Sequence, residues 1–319
     1  MKLPTFIFFW FLMSSIMMAF STSSLFFLWI CLEINMMSFI PLMYSKNMIS
    51  MNSIVMYFLI QSTASSIYIF STMLLFFNTI LMNYFMIFIM ITMLIKLGAA
   101  PFHIWFPQIS EGLTFNSLSI LLTFQKMIPS YIISLFQNNS LIPFIILSAM
   151  IGSFGGFNQS SLRKILAFSS ISHLSWILSL TLTASNFWLI YLVIYSTIII
   201  ITINMIGIFS INFLNSEKIK WNEINFFLII MLLTLGGMPP TIGFFMKWMS
   251  LKIIFNNIAI ITIPLILSSL INLFFYMRLS YTAILKNTIF HKWDKYFMYK
   301  FFMTTLLQLL LIFILIFNS

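Results

Sequence analysis

Charged residues are scarce in this sequence. Asp, Glu, Lys and Arg make up 6% of its 319 residues, and only 5 residues are acidic. A soluble domain carries about 25% charged residues and covers its surface with them. Because 61% of the residues are hydrophobic and the mean hydropathy is +1.09, a soluble globule is excluded. The chain is expected to lie in a membrane, with lipids around it.

Cysteine is almost absent, and so are the common cofactor motifs. Cys31 is the only cysteine, so this chain by itself cannot assemble a disulfide, an Fe–S cluster or a thiolate zinc site. The histidines show no metal-ligand spacing such as H-x-x-x-H, and the glycines of GSFGGFNQ do not have the dinucleotide-binding spacing. We expect these glycines to allow close helix packing. The sequence therefore predicts no metal and no cofactor in this chain.

The net charge of +10 does not indicate nucleic acid as a partner. Proteins that bind nucleic acid cluster Lys and Arg on a wet face. In this sequence the basic residues are scattered between apolar runs. No nucleic-acid partner is therefore expected.

Apolar runs of helical length recur along the whole chain. They are longer than the alternating segments of about ten residues that form outer-membrane barrels, so we interpret them as helices. The fold class is an all-α polytopic membrane protein with about 11 transmembrane helices, because each span needs about 20 apolar residues. The predicted spans lie near 4–20, 23–44, 53–77, 83–105, 112–137, 141–157, 161–182, 187–214, 223–255, 258–285 and 299–317.

The loop charges give this topology an orientation. The loops on the side of the N-terminus carry ten basic residues, whereas the loops of the opposite side carry at most Lys252. Basic loops stay on the side of synthesis, so the N-terminus is predicted there and the C-terminus across the membrane. The ten are Lys2, Lys46, Arg163, Lys164, Lys218, Lys220, Lys286, Lys292, Lys295 and Lys300.

The fourth and ninth predicted spans are interrupted in a similar way, by KLGAAPFHIWFP (96–107) and TLGGMPPTIGFFMKW (234–248). Gly and Pro in mid-helix free carbonyls and remove donors. Since the breaks lie five spans apart, they predict two inverted five-helix repeats, 1–138 and 139–286, followed by a loop and C-terminal helix, 287–319. The alternative is that Gly and Pro are simply commoner in membrane helices.

Five charged residues are assigned to the interior of predicted spans: Glu33, Lys96, Lys126, Lys247 and Arg278. A charge at bilayer depth costs at least about 2.5–3.5 kcal/mol and normally faces a partner or a wet cavity. Glu33 is the only acid inside a span, so one carboxylate among several amines is a candidate ion pair on a proton path. The alternative for each lysine is an ammonium that extends to the membrane interface.

Three further features bear on this path. His173, in serine-rich surroundings, is a possible proton relay or a structural histidine. Arg278 is expected to be an anchor that pairs with backbone carbonyls. Lys247 lies in the second turn after Pro239 and Pro240, where the amino-end dipole of the half-helix favours the neutral amine.

Seven segments, in this order, resemble one family: WICLEINMMSFIP, YFLIQSTASS, IKLGAAPFHIWFP, LLTFQKMIP, GGFNQSSLRKILAFSSISHLSW, LGGMPPTIGFFMKW and NLFFYMRLSY. The chain is similar, from about 25 to 285, to the subunit 2 family of animal mitochondrial NADH:ubiquinone oxidoreductase, respiratory complex I. The resemblance implies an antiporter-like, proton-translocating subunit of the membrane arm. It assigns the central polar axis to Glu33, Lys96, Lys126 and Lys247, the residues that the cost of burying charge also selects. Two departures are Ser175, where Gly is common, and Met246, where Pro is common.

The same resemblance implies the setting of the chain. It places the protein in the mitochondrial inner membrane, with the N-terminus in the matrix and the C-terminus in the intermembrane space. Partners would be other membrane-arm subunits, including neighbouring antiporter-like subunits. NADH, FMN, Fe–S clusters and ubiquinone would be bound by other subunits. Two rival interpretations remain at this point: a free-standing cation/proton antiporter, and an inert spacer whose lysines merely bridge helices.

Overall fold

The structure is a computed structural model that describes residues 3–77, 82–136, 138–208 and 222–285. The segment 287–319, with its predicted last span, lies outside the described residues. Regular secondary structure in the described ranges is helical. The α-helices are α1 Leu3–Ser21, α2 Leu25–Met43, α3 Met48–Phe77, α4 Met82–Leu97, α5 Trp105–Gly112, α6 Phe115–Leu122, α7 Met127–Leu135, α8 Ile142–Phe157, α9 Leu162–Leu182, α10 Phe187–Ile208, α11 Asn222–Gly236, α12 Ile242–Asn257 and α13 Thr262–Leu285.

Most predicted spans in the described ranges correspond to a helix or to a pair of short helices. The fourth, 83–105, contains α4 and the break, and its second half-helix, α5, begins only where the predicted span ends. Within these ranges, seven helical segments are long and apolar enough to cross a membrane, and two more are shorter apolar helices. The seven are Leu25–Met43, Met48–Leu75, Phe115–Leu135, Asn139–Phe157, Leu162–Leu182, Phe187–Gly207 and Ala259–Ser280. The all-helical membrane fold is therefore confirmed, whereas the total of eleven spans and the two repeats stay predictions.

Both predicted breaks end their first half-helix in the same way. Gly98 follows α4 with a φ of 68°, and Gly237 follows α11 with a φ of 85°, a conformation that glycine adopts without steric cost. After each helix the glycine N–H donates three residues back, to Ile95 or Thr234, and the next N–H donates five residues back. This is the Schellman motif of helix carboxyl ends. Two breaks that the sequence predicts from Gly and Pro thus have matching geometry.

The fifth predicted span has a break that the sequence analysis missed. Helix α6 ends at Leu122, a single 3₁₀ turn covers Phe124–Lys126, and α7 starts at Met127. Pro129 supplies the physical reason: it has no N–H for the carbonyl four residues earlier, and its ring crowds that carbonyl. The interruption places Lys126 at the junction of the two helices. The signal, Pro129, was present in the motif LLTFQKMIP.

Helix α9 lies at the centre of the bundle. It packs against α5, α7, α8, α10, α12 and α13, and all of its residues except Arg163, Lys164 and Phe168 are buried. The contact with α8 is very close, since a Cβ on Gly152 would lie 2.6 Å from the backbone nitrogen of Ser172. Close helix packing at these glycines is therefore confirmed. Because α9 touches both broken regions, its polar side chains lie between them.

Candidate functional site

Lys96 lies in the last turn of α4, directly before the first break, and is 6% exposed. Glu33 on α2 is half-buried and close enough for its charge to act on the Lys96 ammonium. The two side chains do not form a direct ion pair in the part of the chain that the structure describes. The carboxylate and the amine therefore act on each other at longer range than the expected ion pair.

Lys126 is 2% exposed at the α6–α7 junction. Its Nζ donates to the carbonyl oxygen of Ser170 at 3.1 Å. The same Nζ lies 5.5 Å from the ring centroid of Phe106 and 5.2 Å from that of Tyr195, and aromatic faces attract cations at such distances. The ammonium is thus held by one carbonyl and two rings, with no carboxylate against it among the described residues.

His173 lies on α9 between the second and third lysines. It is 1% exposed, and its Nδ1 is 2.9 Å from the hydroxyl oxygen of Tyr191. Both Lys126 and Lys247 are near enough to act electrostatically on the ring. Its Nε2 makes no hydrogen bond of good geometry within the described ranges, although the backbone of Leu235 lies nearby. The imidazole therefore has one nitrogen fixed by a phenol and the other close to the end of α11.

Lys247, 6% exposed, lies in the second turn of α12 and reaches back across the break. Its Nζ donates to the carbonyl oxygens of Leu235 at 3.3 Å and Gly236 at 2.9 Å. Those carbonyls end α11, where the helix dipole favours a positive charge. The expected bias of α12 toward the neutral amine is therefore opposed by the carboxyl end of α11, an arrangement that the sequence analysis did not include.

The two breaks also have equivalent side-chain caps. The carbonyl of Lys96 accepts a hydrogen bond from Gln61 Nε2 at 3.3 Å. By the Schellman geometry, Lys96 and Leu235 hold the same position in their helices, and the carbonyl of Leu235 accepts from Lys247. Freed carbonyls in a membrane need such donors. The carbonyl at the end of α4 thus accepts from a neutral side-chain amide, and the equivalent carbonyl of α11 accepts from a lysine amine.

A chain of polar side chains between α2, α3 and the α6–α7 junction was missed from the sequence. Tyr57 donates to Gln125 Oε1 at 3.0 Å, and Gln125 Nε2 donates to Asn35 Oδ1 at 2.8 Å. These residues join α3 and α2 to the 3₁₀ turn that ends at Lys126. Neutral polar residues are common in helices, so the sequence offered no signal for this chain.

Other polar residues lie away from this axis. Glu111, at the end of α5, forms an ion pair of 2.8 Å with Lys164 and accepts at 3.3 Å from the hydroxyl of Ser161. Arg278 donates to the carbonyl oxygen of Gln159 at 3.2 Å, as expected for a residue that pairs with backbone carbonyls. His103 Nδ1 is 3.2 Å from the carbonyl oxygen of Pro101.

Comparison with protein families decides which family has this architecture. A family model described as "NADH:quinone oxidoreductase/Mrp antiporter, TM" matches residues 22–272, which include all five predicted site residues. The chain belongs to this family. Within it, many relatives at about 40% identity are named NADH-ubiquinone oxidoreductase chain 2 and come from animals.

Two of these relatives illustrate the match to NADH-ubiquinone oxidoreductase chain 2. The chain 2 of Anopheles gambiae is 41% identical over 278 residues, which cover 83% of this chain and 81% of the relative. The chain 2 of Rhipicephalus sanguineus is 41% identical over 306 residues, with 95% of this chain and 97% of the relative covered. The resemblance found in the sequence motifs is therefore confirmed over nearly the full length.

Solved structures show the same fold at much lower identity. Respiratory complex I from Thermus thermophilus with bound aureothin matches with a TM-score of 0.80 and 16% identity, covering 88% of this chain and 71% of that chain. The Mrp complex from Dietzia sp. DQ12-45-1b matches with a TM-score of 0.76 and 17% identity, covering 86% and 59%. Structures of an oxidoreductase complex and of an antiporter complex thus share this helical architecture.

Proposed function

We propose that this chain is the proton-translocating membrane subunit of an NADH:ubiquinone oxidoreductase, and that Glu33, Lys96, Lys126 and Lys247 form its axis, with His173 as a relay. The single observation that carries the proposal is the burial of three lysines, each 6% exposed or less. None of them forms an ion pair with a carboxylate in the described ranges. Buried charge without a paired carboxylate is costly, and in membranes it marks ion or proton pathways.

The contacts of each amine suit a group that gains and loses a proton. Lys126 and Lys247 donate to backbone carbonyls. A carbonyl accepts a hydrogen bond from the charged ammonium and also from the neutral amine, which still carries N–H groups. Lysine can lose its charge in a buried site, whereas arginine stays protonated. In this proposal a proton passes between Lys126 and Lys247 through His173, whose ring is near both amines.

The driving step lies outside this chain. Redox chemistry on other subunits would change the electric field along the axis and so the proton affinity of Glu33 and Lys96, whose charges already act on each other. Gated water chains would link the axis to either side of the membrane. In this mechanism the chain binds no NADH, FMN, Fe–S cluster or ubiquinone itself, and these groups belong to other subunits.

The finer architecture and setting complete the proposal. The chain would contain two inverted five-helix repeats, 1–138 and 139–286, and eleven spans in the mitochondrial inner membrane. The N-terminus would face the matrix and the C-terminus the intermembrane space. Neighbouring antiporter-like subunits of the membrane arm would be its partners. The matching Schellman ends at Gly98 and Gly237 support the repeat, because equivalent positions in two repeats should adopt one geometry.

A free-standing cation/proton antiporter is the rival function, favoured by the fold shared with the Mrp complex. Identity of 41% over 95% of the chain to an oxidoreductase subunit favours the first function. Gentle purification from the native membrane separates the two. A subunit of the oxidoreductase migrates only in a very large assembly that oxidises NADH, whereas an antiporter migrates alone or as a homo-oligomer.

Charge removal tests the axis directly. In the assembled complex in liposomes, Lys126→Met and Glu33→Gln are expected to reduce the protons moved per NADH oxidised. Lys164→Met is the matched control, since Lys164 is 30% exposed in a surface ion pair and should leave translocation unchanged. Unaltered translocation in an intact complex with Lys126→Met would instead identify the chain as an inert spacer.

A further inference from the structure

Four buried polar atoms without a well-formed hydrogen bond gather on one side of His173. They are His173 Nε2, Tyr195 Oη, Tyr276 Oη and Asn272 Oδ1, and none makes a hydrogen bond of good geometry among the described residues. Ser170 and Ser169 lie near the two phenols as acceptors, and the backbone of Leu235 lies near the imidazole, whereas Asn272 Oδ1 has no such neighbour. The side chains are at most 1% exposed. Buried polar groups are normally satisfied, and an unsatisfied one costs about 1–3 kcal/mol. Such a concentration in one place requires a physical explanation.

These atoms line the contact between α9, α10 and α13. Asn272 Nδ2 donates to Ser172 Oγ at 2.6 Å. One turn further along α13, Tyr276 Oη lies near Ser169, one turn back along α9. Tyr195 on α10 is near both Ser170 and Tyr276, and its ring centroid is 4.8 Å from that of His173. The three helices therefore bring these polar side chains to one contact region.

Neighbouring serines cannot supply the missing donors. Ser169 Oγ donates to the carbonyl of Leu166 at 2.9 Å, and Ser170 Oγ donates to that of Ala167 at 2.6 Å. Each hydroxyl hydrogen is committed to its own helix, so these serines can only accept. Asn272 Oδ1 therefore needs a donor from another source. Water is the partner that buried polar sites use, typically with about three hydrogen bonds each.

The two phenols reach from the surroundings of Lys126 to those of Lys247. At one end, the Lys126 ammonium lies 5.2 Å from the centroid of the Tyr195 ring. At the other end, Tyr276 packs on Gly236, where a Cβ would be 3.7 Å from Tyr276 Cδ2. The carbonyl of Gly236 is the one that Lys247 binds. The two phenols thus connect the surroundings of both amines without passing through the imidazole.

We propose that Tyr195, Tyr276 and Asn272 hold ordered water molecules in a second branch between Lys126 and Lys247, beside His173. The inference rests on the proposed function and extends it. The two hydroxyls and the amide are positioning residues: they stay neutral and orient water, while a proton hops along the water from one amine to the other. His173 is then one of two routes, so its loss alone slows transfer without stopping it.

Removal of the two hydroxyls tests this branch. In the assembled complex in liposomes, the double variant Tyr195→Phe, Tyr276→Phe should lower the rate of proton translocation about two- to tenfold, as for lost hydrogen bonds, with an enlarged solvent deuterium isotope effect. The KM for NADH should not change. Tyr68→Phe is the matched control, because Tyr68 is 0% exposed on α3 and donates to the carbonyl of Leu25 at 3.1 Å. Unchanged rate and isotope effect in the double variant would overturn the inference.

A high-resolution density map of the wild-type complex decides the matter even if the double variant fails to assemble. Water within about 2.7–3.2 Å of Tyr195 Oη, Tyr276 Oη and Asn272 Oδ1 supports the branch, and dry side-chain packing there overturns it. Lys126→Met distinguishes failure of the water branch from failure of the proposed function. If Lys126→Met stops translocation, but the double variant has no effect and the map is dry, only the water branch is wrong. If Lys126→Met has no effect, the proposed function is wrong.

Discussion

Lys247 Nζ donates a 2.9 Å hydrogen bond to the carbonyl oxygen of Gly236, on the far side of the break that separates α11 from α12. The last carbonyls of any helix lack intrahelical donors, and water is absent from the hydrocarbon region. One side chain thus serves two purposes. It satisfies the broken helix end, and the broken helix end holds the amine at a fixed place on the polar axis.

Loss of this amine should therefore damage both function and structure. Lys247→Met is expected to lower proton translocation by about 100-fold, the lower end of what a positioned proton-transfer group contributes. It should also destabilise the end of α11 by about 1.5–3 kcal/mol, the worth of a hydrogen bond to a charged group. Proton uptake by liposomes that contain the complex measures the first effect, and thermal dissociation measures the second.

Lys252→Met is the matched control on the same helix. Lys252 is exposed, five residues beyond Lys247, and lies beside a cavity of about 370 Å³ at the surface of α10 and α12. Translocation should stay at the level of the unmodified complex. Equal losses for the two variants would contradict a specific role for Lys247.

The glycine after α11 should tolerate no side chain. Gly237 has a φ of 85°, and a Cβ there would lie 3.1 Å from Lys247 Nζ. Gly237→Ala should cost about 1–2 kcal/mol for the left-handed backbone and should push the amine from its carbonyls. Gly236→Ala is the control, because its Cβ would meet its nearest neighbour, Leu273, at an ordinary 3.5 Å. Thermal stability of the complex should fall for the first variant alone.

The contact between α8 and α9 should be equally intolerant. Gly152→Ala places a Cβ 2.6 Å from the backbone nitrogen of Ser172, and a backbone atom cannot move aside as a flexible side chain can. Overpacking of this kind costs about 1–3 kcal/mol. At Gly207 the nearest atom, on Phe115, is 3.4 Å away, so Gly207→Ala should be neutral. Equal yields of assembled complex for both variants would count against the close packing.

The ion pair between Glu111 and Lys164 should contribute little. The side chains are 42% and 30% exposed, and exposed pairs are worth about 0.2–1 kcal/mol. Glu111→Gln is expected to lower stability within that range at low salt, and the difference should vanish near 1 M salt, where charges are screened beyond about 3 Å. Thermal unfolding at two ionic strengths measures this; Lys46→Gln, at another exposed lysine, should show no salt-dependent difference.

Sequence reasoning located the helices because apolar runs are long and polar residues are rare. It also located the breaks at Gly98 and Gly237, since Gly and Pro interrupt helices by known geometry. The break before Lys126 was missed because Pro129 lies three residues later, inside a run that is otherwise continuous. A proline acts on the preceding turn, so its effect appears before its own position.

The charged side chains of the candidate site were also predictable, because burial makes each charge conspicuous in a membrane. Their partners were not. Lys126 and Lys247 bind the carbonyls of Ser170 and Gly236. Because every residue has a backbone carbonyl, the sequence does not indicate which carbonyls a lysine will bind. Tyr195 was equally inconspicuous, since one aromatic residue among 39 Phe and 11 Tyr gives no signal until the helices meet.

The ring of Phe106 contacts the first break and lies beside Lys126. A Cβ on Gly98 would lie 3.1 Å from this side chain, and the Lys126 ammonium is 5.5 Å from the centre of its ring. A benzene ring has no exchangeable hydrogen, so it cannot relay a proton. A proton that passes from the first break to Lys126 therefore has to take a route beside this ring.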